Sequence, residues 1–487
     1  MSVLALDIGT THWKAGIIDE TGRIQSVRRV PAPFIRDDTG GCIYLPADMK
    51  AAVFSLIQAL PKDLLAVVSR ISLAGMAEAG LIIDRPTGES VSAILPWFDM
   101  RSLPLFEAKQ FGPLFKGRYA ATGLPGSCKY SIYKLLTLLE KTGAPTENLL
   151  WLGIVEYAAW LLTGQAAAEP TLAARTYAFD LAAGGWDAPF LEALGLPLTI
   201  FPPVMPSGAP MGQVRDGIAA ELGLPRGIPV CICGHDHVCA AYGVQALQEG
   251  RLFCSMGTAQ VLLAQRQAKE IGETERSSGL SYGPALNAGR QTVLGSIQSS
   301  GGSVTMVNKL LYEDGGYDAM LSHALQMPNE PSGLLYFPYL AGSGAPHFNR
   351  HARGGFLGLS PDTAKLQMLQ SVYEGIAFES RLILDAFRLD AAEELYVCGG
   401  LCAHGRLLQI MSDVLRLTVR VPDVQEGTLL GAARLAYESA GVILPRPADR
   451  QVFAPRPSVS EAYDGIYQNQ YLPLQALLLT YYGAGRP

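Results

Sequence analysis

Leu4-Ala5-Leu6-Asp7-Ile8-Gly9-Thr10-Thr11 combines an apolar run with a turn-like segment, and a second apolar run, Lys14 to Asp19, follows it closely. Both runs are short and rich in strand formers. The segment between them holds a glycine and two hydroxyl side chains, so we predict two strands joined by a turn. The chain therefore opens with a β-hairpin.

The turn of this hairpin carries the mixture of groups that a phosphate site needs. Gly9 lets the backbone approach a ligand, and the hydroxyls of Thr10 and Thr11 can donate to phosphoryl oxygens. Asp7, at the end of the first strand, can hold Mg²⁺ or a water bound to it, and Lys14 can add a positive charge. Taken alone, the pattern also fits an ordinary hairpin turn with a capping aspartate.

A second strand-turn-strand pattern of the same kind lies in the other half of the chain. It consists of the predicted strands Leu252 to Ser255 and Gln260 to Ala264 around the turn Met256-Gly257-Thr258-Ala259. Gly257 follows Gly9 by 248 positions, which is about half of the 487 residues. The repeat predicts two lobes of related topology. Two such loops, one from each lobe, can hold a polyphosphate from both sides, which favours a phosphate site over plain turns.

The rest of the chain alternates helix and strand patterns, which places it in the α/β class. Apolar spacing predicts helices from Tyr130 to Lys141 and from Leu149 to Thr163. Ser360 as N-cap and Pro361 at the first helical position predict the start of a long helix. The elements predicted after it are a strand from Leu395 to Cys398, a helix from His404 to Leu415, a strand from Val419 to Pro422 and a helix from Gly427 to Glu438.

A chain of this length favours two large domains, and two lobes offer a cleft. We place the boundary just after a predicted strand, Val230 to Cys233, and the short helix that follows it. The predicted units are an N-terminal domain over 1–243, a C-terminal domain over 244–455 and a tail over 456–487. The tail contains a predicted helix from Tyr463 to Tyr482.

Composition excludes several classes of protein. Hydrophobic residues make up 49% of the chain and charged ones 17%, which is typical of a well-packed globular protein. The net charge is −6 and no stretch is dense in Lys or Arg, so we expect no nucleic-acid partner. No G-x-x-x-x-G-K-[ST] motif occurs, and no G-x-G-x-x-G motif follows a strand, which disfavours P-loop and Rossmann enzymes.

We also expect no membrane anchor and a cytoplasmic location. The amino end lacks the basic lead-in of a secretory signal, and the apolar stretch Leu149 to Leu162 contains Glu156 and is too short to span a bilayer. Eight cysteines in so long a chain are too sparse for a disulfide framework.

The segment Gly234-His235-Asp236-His237 ends an apolar strand and precedes a short predicted helix. An aspartate there lies at the mouth of a cleft, where it could accept a proton from a hydroxyl that attacks phosphorus. Asp236 could equally cap the helix that follows, and one carboxylate can do both. The two histidines, with Cys231-x-Cys233 and Cys398-x-x-x-Cys402, do not reproduce the spacing of structural zinc sites, so we expect buried thiols rather than metal ligands.

Two segments of the first half combine acidic, basic and aromatic groups. Ala74 to Gly80 contains Glu78, and the next segment contains Trp97, Asp99 and Arg101. Sugar sites need such a set, because hydroxyls pair with charged groups while the C–H face lies on a ring. A core tryptophan next to a surface ion pair is the ordinary alternative.

Taken together, these motifs resemble the FGGY family of carbohydrate kinases, in order, from about residue 4 to about residue 442. The strings that carry the resemblance are Leu6-Asp7-Ile8-Gly9-Thr10-Thr11, Trp97-x-Asp99-x-Arg101, Gly234-x-Asp236, Met256-Gly257-Thr258, Arg353-Gly354-Gly355-Phe356-Leu357-Gly358-Leu359, Glu374-Gly375-Ile376-Ala377-Phe378, Cys398-Gly399-Gly400 with Gln409 and Asp413, and Gly431-Ala432-Ala433.

The resemblance implies two ribonuclease-H-like domains of the actin and hexokinase type that flank an ATP cleft. It implies ATP and Mg²⁺ as cofactors and a sugar or polyol as the substrate. The roles implied are general base for Asp236, metal site for Asp7, ATP binding for Gly9, Thr10, Thr11, Lys14, Gly257, Thr258, Gly399 and Gly400, and substrate binding for Glu78, Trp97, Asp99, Arg101 and Asp236.

Departures from the family's patterns leave the substrate open. Xylulose kinases carry Gln-Met-His where this chain has Met76-Ala77-Glu78, and glycerol kinases carry Gln-Arg-Glu there. Only Glu78 matches the second pattern. Whether His235 or His237 takes part in substrate binding or catalysis is also open, and packing is the ordinary expectation for both. Dimers occur in the family, so a homodimer is one outcome that the resemblance allows.

Two other functions fit parts of the pattern. Actin and the chaperone ATPases share the phosphate-loop logic, so an ATPase that acts on proteins is one alternative, although the sugar-type segment around Trp97 disfavours it. A sugar-binding relative that has lost turnover is the other, and the presence of Asp236 disfavours that.

Overall fold

A computed structural model of the protein describes residues 1–109, 112–143, 145–286, 289–312, 316–389 and 391–483. The strands of its first half are β1 (Ser2–Ile8), β2 (His12–Asp19), β3 (Ile24–Pro31), β4 (Phe34–Arg36), β5 (Cys42–Tyr44), β6 (Val68–Gly75), β7 (Gly80–Asp84), β8 (Leu149–Gly153), β9 (Phe179–Asp180), β10 (Gly185–Trp186), β11 (Pro210–Gln213) and β12 (Pro229–His235). Those of its second half are β13 (Gly250–Met256), β14 (Gln260–Gln267), β15 (Ser281–Pro284), β16 (Arg290–Ile297), β17 (Leu335–Phe337), β18 (Gly355–Leu357), β19 (Ala392–Cys398), β20 (Thr418–Pro422) and β21 (Asp449–Phe453).

The helices of the first half are α1 (Pro46–Gln58), α2 (Lys62–Leu65), α3 (Leu103–Lys109), α4 (Tyr119–Thr122), α5 (Ser131–Thr142), α6 (Ile154–Thr163), α7 (Pro170–Ala173), α8 (Ala188–Ala193), α9 (Asp216–Leu222) and α10 (Asp236–Gly243). Those of the second half are α11 (Glu273–Ser277), α12 (Ser300–Leu311), α13 (Gly316–Ala324), α14 (Lys365–Phe387), α15 (Gly405–Leu415), α16 (Gly427–Glu438), α17 (Pro457–Ile466) and α18 (Leu472–Gly483).

Two mixed sheets with the same internal order form the two lobes. The first runs β11-β12-β6-β1-β2-β3, and the second runs β15-β16-β14-β13-β19-β20-β21. Five strands correspond between the sheets: β1, β2, β3, β6 and β12 in the first, and β13, β14, β16, β19 and β20 in the second. In each set the first three strands are antiparallel neighbours, and the last two lie parallel to the first strand of the set. Numbered in chain order, each set has the spatial order 3-2-1-4-5. The repeat of the glycine-threonine hairpin therefore reflects a repeat of the whole sheet, and the prediction of two ribonuclease-H-like lobes is confirmed.

Strand β1 is buried along its whole length because its sheet is covered on both faces. Alternate side chains enter different cores, as the two-residue period of a strand requires. Leu4 and Leu6 pack in the cluster that contains α1 and α6. Val3 and Ala5 pack instead against residues of α16.

Helix α16 belongs to the second half of the chain but lies on the first sheet, where it crosses α10. Glycines permit the close crossing. A Cβ added at Gly431 would lie 1.7 Å from the carbonyl oxygen of Cys239, and one added at Gly243 would lie 2.5 Å from that of Gly427. The boundary between predicted domains 1–243 and 244–455 remains a prediction, but the first sheet takes part of its cover from beyond it.

Two predicted helix boundaries are wrong. Leu149 to Gly153 forms β8, because these residues pair with β7, and the helix begins only at Ile154. Helix α14 begins at Lys365 rather than at Pro361, since the Thr363 hydroxyl accepts from the Ser360 N–H in a separate turn. The predicted tail helix is confirmed in kind, but it is divided into α17, a π-helical turn over Tyr467–Tyr471 and α18. Within the described ranges, no helix has the length and apolarity that crossing a membrane requires.

Candidate active site

The carboxyl ends of β1, β6 and β12 meet at one place, which we call the first edge. Ile8 and His235 both pair with Gly75, the last residue of β6. The residues that follow these strands must therefore lie side by side. This brings the turn after β1, the segment with Glu78 and the catalytic candidate Asp236 together, as the α/β pattern predicts.

Asp7 is buried at the first edge, in a small cluster that also contains Lys14 and Glu426. Lys14 Nζ lies 3.7 Å from Asp7 Oδ2 and donates to Glu426 Oε2 at 2.6 Å. Burial raises the pKa of Asp7 to about 7, an effect that Lys14 opposes and the carboxylates of Asp236 and Glu426 reinforce. Among the described residues, Oδ1 of Asp7 has no hydrogen-bond partner although it is buried. Sequence reasoning missed Glu426, which is 412 positions from Lys14.

Thr10 and Thr11 form the tip of the first turn and are reached by solvent. The hydroxyl of Thr10 accepts a 3.0 Å hydrogen bond from the indole N–H of Trp97. Gly9 is needed for the turn, because a Cβ there would lie 2.9 Å from the carbonyl oxygen of His12. The predicted sugar segment thus touches the predicted phosphate turn.

Asp236 is the first residue of α10, and its carboxylate is about a quarter exposed. His235 Nε2 lies 3.2 Å from Asp236 Oδ1, and His237 Nε2 lies 4.0 Å from the same oxygen. Asp236 does not cap the helix as Asp caps usually do: Oδ1 accepts from the next N–H, that of His237, at 2.7 Å. Burial lowers the pKa of His235 to about 4, so this imidazole is neutral at pH 7.

These three side chains also form a group that could hold a metal ion, because their ligand atoms lie within 4.8 Å of one another. Two imidazoles and one carboxylate are a donor set for transition metals rather than for Mg²⁺, which prefers oxygen ligands. Sequence spacing alone did not favour this group as ligands.

Glu78 is buried and has φ +62, which is rare for a residue other than glycine or asparagine. Its Oε1 accepts from Arg175 Nε at 2.8 Å and Nη2 at 2.5 Å, and it lies 3.8 Å from Lys129 Nζ. Despite burial, the positive charges of Arg175 and then Lys129 lower the pKa of Glu78 to about 2. Arg175 and Lys129 were missed because neither belongs to a recognisable motif.

Trp97, Asp99 and Arg101 lie beside the Glu78 segment, since Gly80 and Leu95 exchange both backbone hydrogen bonds. Trp97 is 39% exposed, so it is not the core tryptophan of the ordinary alternative. Arg101 donates to buried Asp99 at 2.7 Å and to Asp37 at 2.8 Å. The ion pair of the ordinary alternative is present but is not at the surface, because Asp99 is buried; the pair fixes the loop, and Trp97 is the member that faces outward.

The second sheet presents a corresponding place, the second edge, at the carboxyl ends of β13 and β19, which pair in parallel. Gly399 has φ +113, and a Cβ there would lie 2.5 Å from the carbonyl oxygen of Met256. Helix α12 begins against the turn: the N–H groups of Gly301 and Gly302 donate to the carbonyl oxygens of Gly257 and Thr258, both at 3.1 Å. Sequence reasoning missed this helix start, whose Ser-Gly-Gly pattern was its signal.

The two lobes meet beside Asp236. A cavity there is lined by Arg175 and His235 from the first lobe and by Tyr282 and Thr292 from the second. The backbone N–H of Tyr282 donates to the carbonyl oxygen of Gly123 across the junction at 2.8 Å. The first edge thus brings the partly exposed carboxylate of Asp236 close to the turn after β1, and the cavity at the lobe junction reaches the neighbouring residue, His235.

Comparison with known proteins gives the same picture. Two family models match the chain: the N-terminal domain of the FGGY family of carbohydrate kinases over residues 2–243, and the C-terminal domain of that family over residues 252–440. The chain is 29% identical over 464 residues to the glycerol kinase of Methylibium petroleiphilum, a match that covers 90% of this chain and 91% of that protein.

Solved structures show the same fold. The xylulose kinase of Lactobacillus acidophilus superimposes with a TM-score of 0.90 at 21% identity over 99% of both chains. The glycerol kinase of Plasmodium falciparum, solved with ADP, superimposes with a TM-score of 0.86 at 21% identity over 97% of this chain and 98% of that one.

Proposed function

The chain belongs to the FGGY family of carbohydrate kinases, and on this premise we propose that it transfers the γ-phosphoryl group of ATP to a hydroxyl of a sugar or polyol with Asp236 as general base. The observation that carries the proposal is the position of Asp236. Its partly exposed carboxylate follows β12 at the first edge, beside both the first phosphate turn and the Glu78 segment.

In the proposed step, Asp236 accepts the proton of the substrate hydroxyl as that oxygen attacks the γ-phosphorus. The new oxygen–phosphorus bond forms, the bond from the γ-phosphorus to the bridging oxygen breaks, and ADP leaves. A neutral His235 can donate Nε2–H to Asp236 Oδ1, 3.2 Å away, and so keep the other carboxylate oxygen directed at the substrate. This is a positioning role for His235.

The two turns bind the phosphates in this proposal. Gly9, Thr10 and Thr11 supply backbone and hydroxyl donors from the first lobe, and Lys14 supplies a positive charge. The corresponding donors of the second lobe are Gly257 and Thr258. Gly399 and Gly400 form the turn against the adenosine, where Gly400 faces open space.

The residues at the first edge fit a magnesium ion. Asp7 offers a buried oxygen without a hydrogen-bond partner among the described residues, and Mg²⁺ takes oxygen ligands. When bound, the ion neutralises charge on the phosphates. In addition to binding phosphate, Lys14 lies beside Asp7 and Glu426, where its positive charge limits the repulsion between the two carboxylates.

On the substrate side, we propose that Glu78 and Trp97 contact the sugar from two neighbouring segments. Asp99 and Arg101, which are bound to each other, hold the Trp97 loop and belong to the same proposed substrate site. Homodimer formation and a cytoplasmic location remain predictions from the sequence.

The test is ADP release from ATP and Mg²⁺ with a panel of ketoses, polyols and sugar acids, with a sample without sugar as control. We expect turnover with some acceptor that is lost in Asp236→Ala and kept in Asp362→Asn, a change at an exposed position. Full phosphotransfer in Asp236→Ala would remove Asp236 as base. Equal ADP release with and without every acceptor would contradict sugar phosphorylation and favour an ATPase.

A further inference from the structure

A group of positive side chains surrounds the Glu78 carboxylate in the first lobe. Arg175 and Lys129 both approach Oε1 of Glu78, at 2.5 Å and 3.8 Å. Both also lie over the ring of Tyr130, with their charged atoms 5.4 Å and 5.5 Å from its centroid. Two cations thus share one oxygen of one carboxylate.

A third cation stands behind them. Lys134 is buried on α5, and its Nζ donates to the carbonyl oxygen of Lys129 at 2.6 Å. Burial lowers the pKa of Lys134 to about 8, so it is still largely charged at pH 7. The other carboxylate that acts on Lys134 is Asp99, which is bound to Arg101. The group therefore carries more positive than negative charge.

Part of this excess charge faces the cleft. The Lys129 side chain is 37% exposed, and its distance of 3.8 Å to Glu78 is too long for a good hydrogen bond. Arg175 lines the cavity between the lobes together with His235, the neighbour of Asp236. Arg175 thus borders the same cavity as His235, the residue next to the proposed base. A neutral polyol would add no negative charge to balance Lys129 there.

We propose that the substrate is a sugar acid, a polyhydroxy carboxylate whose carboxylate binds Lys129 and Arg175 while a hydroxyl further along its chain meets Asp236. This inference rests on the proposed function and names its substrate class. Carboxylate oxygens match the donors of both cations. A carboxylate also supplies negative charge to a group in which positive charge is in excess.

Matched pairs of acceptors test the proposal on the unaltered enzyme. Gluconate is compared with glucitol, xylonate with xylitol and erythronate with erythritol, each pair differing at the carboxylate end, with ribose 5-phosphate and xylulose as further acceptors. In at least one pair, kcat/KM should favour the acid by roughly 10- to 100-fold, as expected for a charge-assisted bond left unmade by the alcohol.

Lys129→Met then tests the contact. It should raise KM for the preferred acid roughly tenfold or more, and far more than KM for any neutral acceptor that is turned over. Lys129→Arg should keep most of the preference for the acid. Lys141→Met, an exposed change at the far end of α5, is the control.

Each outcome is decisive. A neutral sugar or a sugar phosphate preferred over every acid, or equal losses for acid and neutral acceptors in Lys129→Met, would overturn the sugar-acid proposal and leave the kinase proposal standing. If no acceptor of any class is phosphorylated, the proposed function itself fails, and the substrate class fails with it.

Discussion

The first and second edges arise from the same strand order, but they are built from different chemical groups. The first edge holds buried or half-buried charges, including Asp7, Asp236 and Glu78. The second edge is made of glycine backbone: a Cβ added at Gly399 or Gly301 would lie 2.5 Å or 2.4 Å from the carbonyl oxygen of Met256 or Gly257, which is too close for a side chain. The repeated fold thus supplies two equivalent places. The first contains the charged groups that can react, and the second contains closely packed backbone that fixes its shape.

The contrast between the two edges would fail most clearly if a charge at the first edge could be removed without loss of activity. Asp236→Asn keeps the size of the side chain but removes the basic carboxylate. We expect kcat to fall roughly 10²- to 10⁴-fold, the usual contribution of a general base. Steady-state kinetics with the preferred acceptor measure the change, and a fall of less than tenfold would contradict the assignment.

A second buried glutamate tests the electrostatics of the same lobe. Glu156 borders a cavity that Glu78 also lines, but burial raises the pKa of Glu156 to about 8, whereas cations lower that of Glu78 to about 2. Since the folded protein holds the Glu156 proton more tightly than the unfolded chain, its contribution to stability is full below about pH 4.5 and is lost as the pH rises towards 8.

Glu156→Gln should therefore remove part of the pH dependence. Between pH 5 and 8, we expect the unfolding free energy of the unaltered protein to fall by roughly 3–4 kcal/mol relative to the variant. Urea denaturation at several pH values measures this, with the exposed change Glu140→Gln as control. Parallel pH profiles for the unaltered protein and the Glu156→Gln variant would show that Glu156 ionises normally.

The shape of the second edge can be tested with neighbouring glycines. Gly399→Ala places a Cβ against the Met256 carbonyl at φ +113, whereas a Cβ at Gly400 meets open space. We expect Gly399→Ala to lower the unfolding free energy by about 1–3 kcal/mol and Gly400→Ala to change it by less than about 0.5 kcal/mol. Thermal denaturation of both variants, without ligand, separates strain from nucleotide contacts. Equal losses would refute the claim that backbone contact restricts this edge.

The smallest effect is expected at the contact between Trp97 and the first turn. Trp97→Phe keeps the aromatic ring but removes the hydrogen bond to the Thr10 hydroxyl. Because the bond is partly exposed, we expect a cost of less than about 1 kcal/mol, seen as a rise in KM for ATP of no more than about fivefold. A larger rise would mean that the indole orients the phosphate turn.

Local features of this site were accessible from sequence, whereas partners at long range were not. The turns at Gly9 and Gly257 were predictable because strand, glycine and threonine signals lie within a few residues. Arg175 reaches Glu78 across 97 positions, and no spacing rule connects the two. The same limit explains β8, since the pairing of Leu149 with β7 decides its conformation and its own apolar pattern fits a helix equally well.

The position of α16 sets the timing of folding during synthesis. Strand β12 completes the first sheet at His235, but the helix that covers one face of that sheet ends at Glu438, about 200 residues later. At the usual pace of about 5–20 residues per second, the ribosome needs roughly 10–40 s to make that interval. During it, the apolar face that contains Val3 and Ala5 lacks its cover, so this face of the nascent first lobe stays exposed until α16 emerges.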